Sequence, residues 1–325
     1  MASEAELERI LARDQRREAW DLWGPYLSER QWGTVREDYS ADGDAWNYFP
    51  HDHARSRVYR WGEDGMLGIC DSDCRICFSV AFWNGRDPIL KERFFGLSNP
   101  QGNHGEDVKE YFYHLDNTPS HSLMRGLYKY PQEEFPYRRL IEENARRSRL
   151  EPEFELVDTG VFNDGRYFDI FIEYAKAAPN DICIRICAIN RGPDPAPLTI
   201  LPTLWFRNTW SWGQEGISKP EMHLAGDNSV TVTPWGLPVY HYCCDGASEF
   251  VFTENETNNR RLFGSENKAA HVKDAFHDYI IHGKSDAVNP ASSGTKASPV
   301  YRRTVAPGEA SMVRLRLAES SQQEP

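Results

Sequence analysis

Apolar and charged residues alternate along Phe168-Asp169-Ile170-Phe171-Ile172-Glu173-Tyr174, and again where Val313, Leu315 and Leu317 interleave with Arg314 and Arg316. A period of two places one set of side chains on a core and the other toward solvent, the writing of an antiparallel sheet with one wet face. Strands are expected at Arg57–Trp61, Ile76–Trp83, Lys109–Leu115, Tyr167–Ala175, Ile182–Ile189, Leu198–Phe206, Ser229–Thr233, Glu249–Thr253, Tyr279–His282 and Met312–Leu317. Turn signals divide them: Asn84-Gly85, Gly192-Pro193-Asp194-Pro195, Asp227-Asn228 and Pro307-Gly308. An N-terminal helix is announced by Ser3 and Glu6 in capping-box spacing and by an apolar stripe of Leu7, Ile10 and Leu11. A second helix is expected from about Pro136 to Arg149, with Leu140, Ile141 and Ala145 on one side. The fold class is therefore mainly β: a large antiparallel β-supersandwich with an N-terminal helix and one inserted helix. In domain terms this is an N-terminal helical segment (1–30), the sandwich with a loop-rich start (31–317), and a polar tail (318–325).

With 325 residues, 40% of them hydrophobic, the chain can bury a large core. Its 37 basic and 49 acidic residues give a net charge of −12, which favours neither nucleic acid nor an anionic membrane as partner. No apolar run approaches the ~20 residues of a membrane span, and the charged N-terminus carries no secretory signal, so a cytoplasmic location is expected. The seven cysteines are read as small buried hydrophobes, although Cys74-x-x-Cys77 with Cys70 has a spacing that metals accept. No cofactor is expected: nucleotide-binding and nucleophile-elbow motifs are absent.

The stretch Gln31–Gly65 mixes aromatic, acidic, guanidinium and imidazole side chains between turn residues, with no apolar run long enough for a core element. That mixture suits a sugar, whose C–H faces stack on rings and whose hydroxyls take bidentate hydrogen bonds. The alternative is an irregular surface segment held by internal salt bridges. Candidate substrate-binding residues are Trp32, Arg36, Asp38, Trp46, His51, Asp52, His53 and Arg55, joined by His104, Glu106 and Asp107. An extended His51-Asp52-His53 would put two imidazoles on one side, with His104 as a distant third metal ligand, but a hydrogen-bond network is the stronger reading. In Leu204–Gly213, Trp205 is assigned to the core, while Trp210 and Trp212 could cover a sheet edge or a domain contact.

Several long segments, in a fixed order, resemble the N-terminal region of glycoside hydrolase family 63: QWGTVREDYS, NYFPHDHARSRVYRWGEDG, FWNGRDPILKERFFGL, NPQGNHGEDVKEYFYHLD, PTLWFRNTWSWG and FTENETNNRRLFG. That family includes processing α-glucosidases and mannosylglycerate or glucosylglycerate hydrolases. The resemblance implies a β-supersandwich that packs on an (α/α)6 barrel carrying the catalytic acid and base. This chain has no series of amphipathic helices to build such a barrel, so no catalytic residue is assigned in it. The expected partners are the barrel, in cis or in trans, and a carbohydrate ligand. A module of this kind should show an aromatic docking face, for which Trp20, Trp23, Trp210, Trp212 and Phe135 are candidates.

Overall fold

A computed structural model gives the fold and describes residues 4–29, 31, 32, 40, 48, 50–104 and 107–320. Two large sheets face one another, and their ladders are antiparallel. The nine-stranded sheet runs Ser293–Gly294, Glu221–Leu224, Ser229–Thr233, Tyr240–Cys244, Ala310–Glu319, Asp181–Asn190, Tyr167–Ala178, Leu123–Pro131, Phe112–Asn117. The seven-stranded sheet runs Trp23–Gly24, Ile69–Asp71, Ile76–Trp83, Ala196–Phe206, Lys296–Pro299, Phe250–Thr253, and Tyr301–Val305 also pairs with Ala196–Phe206.

The alternation dictates what lies between the sheets. Ile170, Ile172 and Tyr174 point inward with Ile182, Ile184 and Ile186 from the next strand and Val313, Leu315 and Leu317 from the one beyond. Phe78, Val80, Phe82 and Leu204 meet them from the other sheet, Phe78 lying edge-on to Tyr174 at 5.9 Å. On the wet face, Glu173 takes Arg125 from one neighbouring strand at 2.9 Å and Arg185 from the other at 2.5 Å. The Leu123–Pro131 strand was missed by the alternation, because Gly126 interrupts it. A Cβ at Gly126 would stand 2.8 Å from the Leu67 side chain, so any larger residue there would have to displace that leucine.

Several expectations need correction. Arg57–Trp61 is irregular: its Val58 N–H donates to the Thr257 side chain rather than to a ladder. Tyr279–His282 belongs to a helix, Ala275–His282, which ends at Gly283 with φ 65°. A short apolar run fits either element, and the terminating glycine was the deciding signal. The inserted helix is Tyr137–Arg146, and Asn144 rather than Ala145 is buried beside Leu140. The last strand runs to Glu319, inside the stretch read as tail. Cys183 is exposed and Cys187 and Cys243 are half-buried, so the thiols are not uniformly core. Trp20, Trp23 and Phe135 are buried, which removes them from any docking face; Trp205 is core as expected.

The first helix, Glu4–Asp14, also inverts its reading. Leu7 and Leu11 are 52% and 54% exposed, and the buried contacts are made by Glu6 and Ala12. The Glu6 carboxylate accepts the Ser120 N–H and the hydroxyls of Ser120 and Ser122, each at 2.9 Å. Three donors converging on one carboxylate anchor the helix better than two wet leucines. Glu6→Ala is therefore expected to cost about 1–3 kcal/mol in urea unfolding, since it strands buried donors. Leu11→Ala should stay within about 0.5 kcal/mol. Equal losses in the two variants would show that the helix docks through its apolar stripe after all.

Candidate functional site

The outer face of the seven-stranded sheet is unusual for a buried surface. Strand alternation sends Ser79 and Ala81 outward from Ile76–Trp83, Thr203 and Trp205 from Ala196–Phe206, and Lys296 and Ser298 from Lys296–Pro299, all of them buried. What covers them is a set of loops bringing Glu63, Asp64, Glu92, Arg93, Asn255 and Lys273 onto the sheet. Between these groups is a cavity of about 20 Å³, room for a single water but not for a sugar ring.

The charges are paired across long sequence distances. Lys296 Nζ lies 2.6 Å from Glu92 Oε1 and donates to the Lys273 carbonyl at 3.1 Å. Arg93 Nε is 3.3 Å from Asp64 Oδ2, which also accepts the Tyr59 hydroxyl at 3.0 Å. Lys273 Nζ is 3.9 Å from Glu63 Oε2, while Glu63 Oε1 accepts Asn255 Nδ2 at 3.0 Å. Burial raises the Glu63 carboxyl to about 7 against the pull of Lys273, and burial lowers the Lys273 ammonium to about 8 against the pull of Glu63. Burial also opposes the charged forms of Glu92 and Arg93. There the partner wins: Lys296 holds the Glu92 carboxyl low, and Asp64 pushes the Arg93 guanidinium further up. Glu92 Oε2 and Asn255 Oδ1, both facing the cavity region, have no hydrogen-bond partner among the described residues. A water or a ligand hydroxyl in the cavity would satisfy them.

A further buried pair adjoins this layer, Lys91 being next in sequence to Glu92. Lys91 Nζ and Glu110 Oε1 are 2.8 Å apart with both side chains fully buried, and the ammonium lies 3.6 Å from the Phe135 ring centroid. Glu110 also accepts the Phe95 N–H at 3.0 Å and the Tyr128 hydroxyl at 2.8 Å.

The structure brings together some of the predicted site residues and separates others. His51–Ala54 is a helical turn, so His51 and His53 do not share a side as an extended chain would place them. His51 is packed among rings: stacked on Tyr137 at 6.0 Å, edge-on to Phe95 at 5.2 Å and to Trp32 at 5.7 Å. Burial drives its pKa well down, and the neutral ring serves the aromatic cluster. Trp32 in turn clusters with Ala54 and Tyr59, which reaches the charge layer through Asp64. Asp52 pairs with Arg55 at 3.2 Å and with Arg261, and Arg55 Nη1 is 3.1 Å from His277 Nε2. Ser56 Oγ donates to Asp274 at 2.5 Å. These contacts staple the loop to the 258–277 layer, the salt-bridge alternative of the sequence reading. His53 is half-buried, and its pKa is lowered by burial first and Arg261 second. His104 sits elsewhere: its Nε2 is 3.0 Å from the Glu151 carbonyl, next to Asn103, which ties down the same turn. Arg36, Asp38, Trp46 and Glu106 lie outside the described residues, and Asp107 is placed only as backbone, opposite Leu97.

Above the layer opens a cleft of about 250 Å³ lined by Tyr59, Arg60, Asn208, Ser211 and Trp212. The Arg60 guanidinium lies 5.1 Å from the Trp61 ring and 5.8 Å from the Trp212 ring, and Arg207 is 5.5 Å from Trp212. Trp61 is 56% exposed. The cleft joins the layer below it, since Asn208 donates to the Asn255 carbonyl at 2.8 Å. Sequence reading did not single out Glu92, Arg93, Asn255, Lys273 or Lys296. The available signal was charge inside apolar writing, such as Lys296 in a strand otherwise built of small residues.

Among the described residues, one group has metal-ligand spacing: His277, Asp278 and His282, with ligand atoms within 4.8 Å of one another. Arg55 at His277 Nε2 and the Leu90 N–H on Nδ1 at 3.2 Å occupy that imidazole and set a positive charge beside it, so the group does not suit a cation.

No family model matches the chain. It is 43% identical over 351 residues to an uncharacterized protein of Saccharomyces cerevisiae, YMR196W, covering 96% of this chain and 32% of that one. The chain thus spans about a third of the length of the relative it matches. Among solved structures, a polysaccharide lyase shows a TM-score of 0.34 at 11% identity, over 75% of this chain and 25% of that one. A galactose mutarotase related enzyme from Lactobacillus acidophilus shows a TM-score of 0.32 at 9% identity, over 79% and 92%. Both neighbours carry the names of carbohydrate-active enzymes.

Proposed function

We propose that this chain is the β-sandwich module of a family-63-like glycosidase, packing on a helical (α/α)6 barrel and lending loops to the sugar pocket. The carrying observation is the cleft of Arg60 and Trp212, with the exposed Trp61 ring beside Arg60, above a layer of buried ion pairs. Ring faces with a fixed guanidinium between them offer a sugar both stacking and bidentate hydrogen bonds, and they offer a docking domain an aromatic anchor. The ordered run of family-63-like segments supports the same reading, and a relative three times as long is consistent with a module of a larger enzyme. The module itself is assigned no catalysis. An inverting pair needs roughly 6.5–9.5 Å between carboxylates with substrate between them. Glu63, Asp64 and Glu92 instead face cations in a cavity of about 20 Å³.

Purified chain assayed on aryl α-glucosides, aryl α-mannosides, glucosylglycerate and mannosylglycerate is expected to give no turnover above the Glu63→Gln variant. Turnover that this substitution abolishes would overturn the non-catalytic reading. A second reading, an autonomous carbohydrate-binding protein, is favoured by the cleft being formed within this chain alone. A tryptophan-fluorescence change on titration with these sugars, lost in Trp61→Ala, would select it.

A further inference from the structure

Three thiols converge where the Ile69–Asp71 and Ile76–Trp83 strands meet. Cys70 and Cys77 stand directly opposite one another in the ladder and are buried, and Cys74, on the connecting turn, is half-buried. Cys74 Sγ is 3.5 Å from Cys77 Sγ. The turn that holds them is rigid. Asp71 Oδ1 accepts the N–H groups of Arg75 and Ile76 at 2.7 Å each, Asp71 Oδ2 accepts that of Asp73 at 3.1 Å, and Cys74 has the left-handed φ of 55°.

We propose that Cys74 and Cys77 form a peroxide-sensitive dithiol, with Cys74 the attacking sulfur and Cys77 the resolving one. The separation needs to close only from 3.5 Å to the roughly 2.05 Å of a disulfide, and sequence spacing of three is within reach of one turn. The surroundings favour a reactive sulfur at Cys74. Hydrogen bonds from Cys70 and then Cys77, aided by Arg207 and the Glu63 N–H, bring its thiol down to about 4, while burial raises that of Cys77. In the first step the Cys74 thiolate attacks one oxygen of a peroxide. The O–O bond breaks, hydroxide leaves with the electron pair, and the sulfur is oxidised to sulfenic acid. Cys77 then gives up its proton to hydroxide and attacks the Cys74 sulfur; the S–S bond forms, the S–O bond breaks and a second hydroxide leaves, to be protonated to water. Two thiols and one peroxide become one disulfide and two waters. Because the Glu63 N–H helps hold the Cys74 thiolate, oxidation would take away that backbone group's acceptor, one residue from the charge-layer Asp64.

Intact chain exposed to hydrogen peroxide, alkylated and mapped by mass spectrometry is expected to carry a Cys74–Cys77 link, with loss of two hydrogen atoms, reversed by dithiothreitol. In Cys77→Ser the same treatment in the presence of dimedone should leave an adduct on Cys74. In the untreated protein near pH 6, iodoacetamide should reach Cys74 roughly tenfold faster than the exposed Cys183. The proposal fails if peroxide leaves both sulfurs free in the unmutated chain, or if Cys183 is alkylated first. The unmutated chain supplies both readouts, so a Cys77→Ser chain that fails to fold does not rescue it.

Discussion

Glu110→Ala is expected to destabilise the chain by about 3–5 kcal/mol in urea unfolding, the largest loss of any single polar substitution considered for this fold. The substitution takes away the carboxylate bonded to the fully buried Lys91 ammonium, leaving it the rings of Phe135 at 3.6 Å and Tyr137 at 4.6 Å and the charge of the nearby Asp87. Cation–π attraction of about 2 kcal/mol does not offset the loss of the hydrogen-bonded carboxylate of a buried ammonium. The Phe95 N–H and the Tyr128 hydroxyl lose their acceptor at the same time. Replacing both partners, as Lys91→Met with Glu110→Leu, should be milder than Glu110→Ala alone, because no charge is then stranded. A loss below about 1 kcal/mol in the single variant would mean that water enters the site and solvates Lys91.

The Glu63–Lys273 pair is expected to carve opposite slopes into stability on either side of neutrality. Glu63 titrates at about 7 in the fold against 4.5 in the open chain, so from pH 4.5 to 7 the folded state holds more protons and stability falls as pH rises. Lys273 titrates at about 8 in the fold against 10.5, so from pH 8 to 10.5 the unfolded state holds more protons and stability climbs. Each effect is on the order of 3 kcal/mol over its window. Both groups carry charge together only between about 7 and 8. Urea midpoints of the parent chain minus those of Glu63→Gln should decline across the acidic window, and minus those of Lys273→Met should rise across the alkaline one. Differences flat in pH would mean that both groups titrate normally.

Much of the architecture was legible because most strands are written either in alternation, as at Tyr167–Ala178, or as a short apolar run, as at Ile76–Trp83. The strand at Ile76–Trp83 and that at Ser229–Thr233 fall where the pattern puts them, and the ladders of Tyr167–Ala178 and Asp181–Asn190 extend it by a residue or more. Legibility ends where backbone groups bond to side chains instead of to a ladder, as at Val58, and where a short apolar run admits two periods, as at Tyr279–His282. Of the candidate site, the Gln31–Gly65 stretch contributes Tyr59 and Arg60 to the cleft and Glu63 and Asp64 to the charge layer, none of them among the candidate residues named from it. His51 is an aromatic-cluster ring, and Asp52–Arg55 is the salt-bridge staple that the sequence reading held as its alternative. Lys296 left a local trace as a charge among small residues, but its pairing with Glu92 could not be read, because 204 residues separate the two.

That separation has a consequence for how the chain can be divided. Cutting a protein is tolerated where few contacts cross the cut, and apolar surface bared by a cut costs in proportion to its area. Here a break anywhere between Glu92 and Lys296 also puts the two halves of a buried ion pair on different pieces. Each piece would then carry a charge shaped for an interior it no longer has, with Lys273 and Glu63 divided by most of the same breaks. Circular permutants opened inside this span should therefore reassemble as one body or not at all, and half-sandwich fragments should be insoluble rather than merely weak.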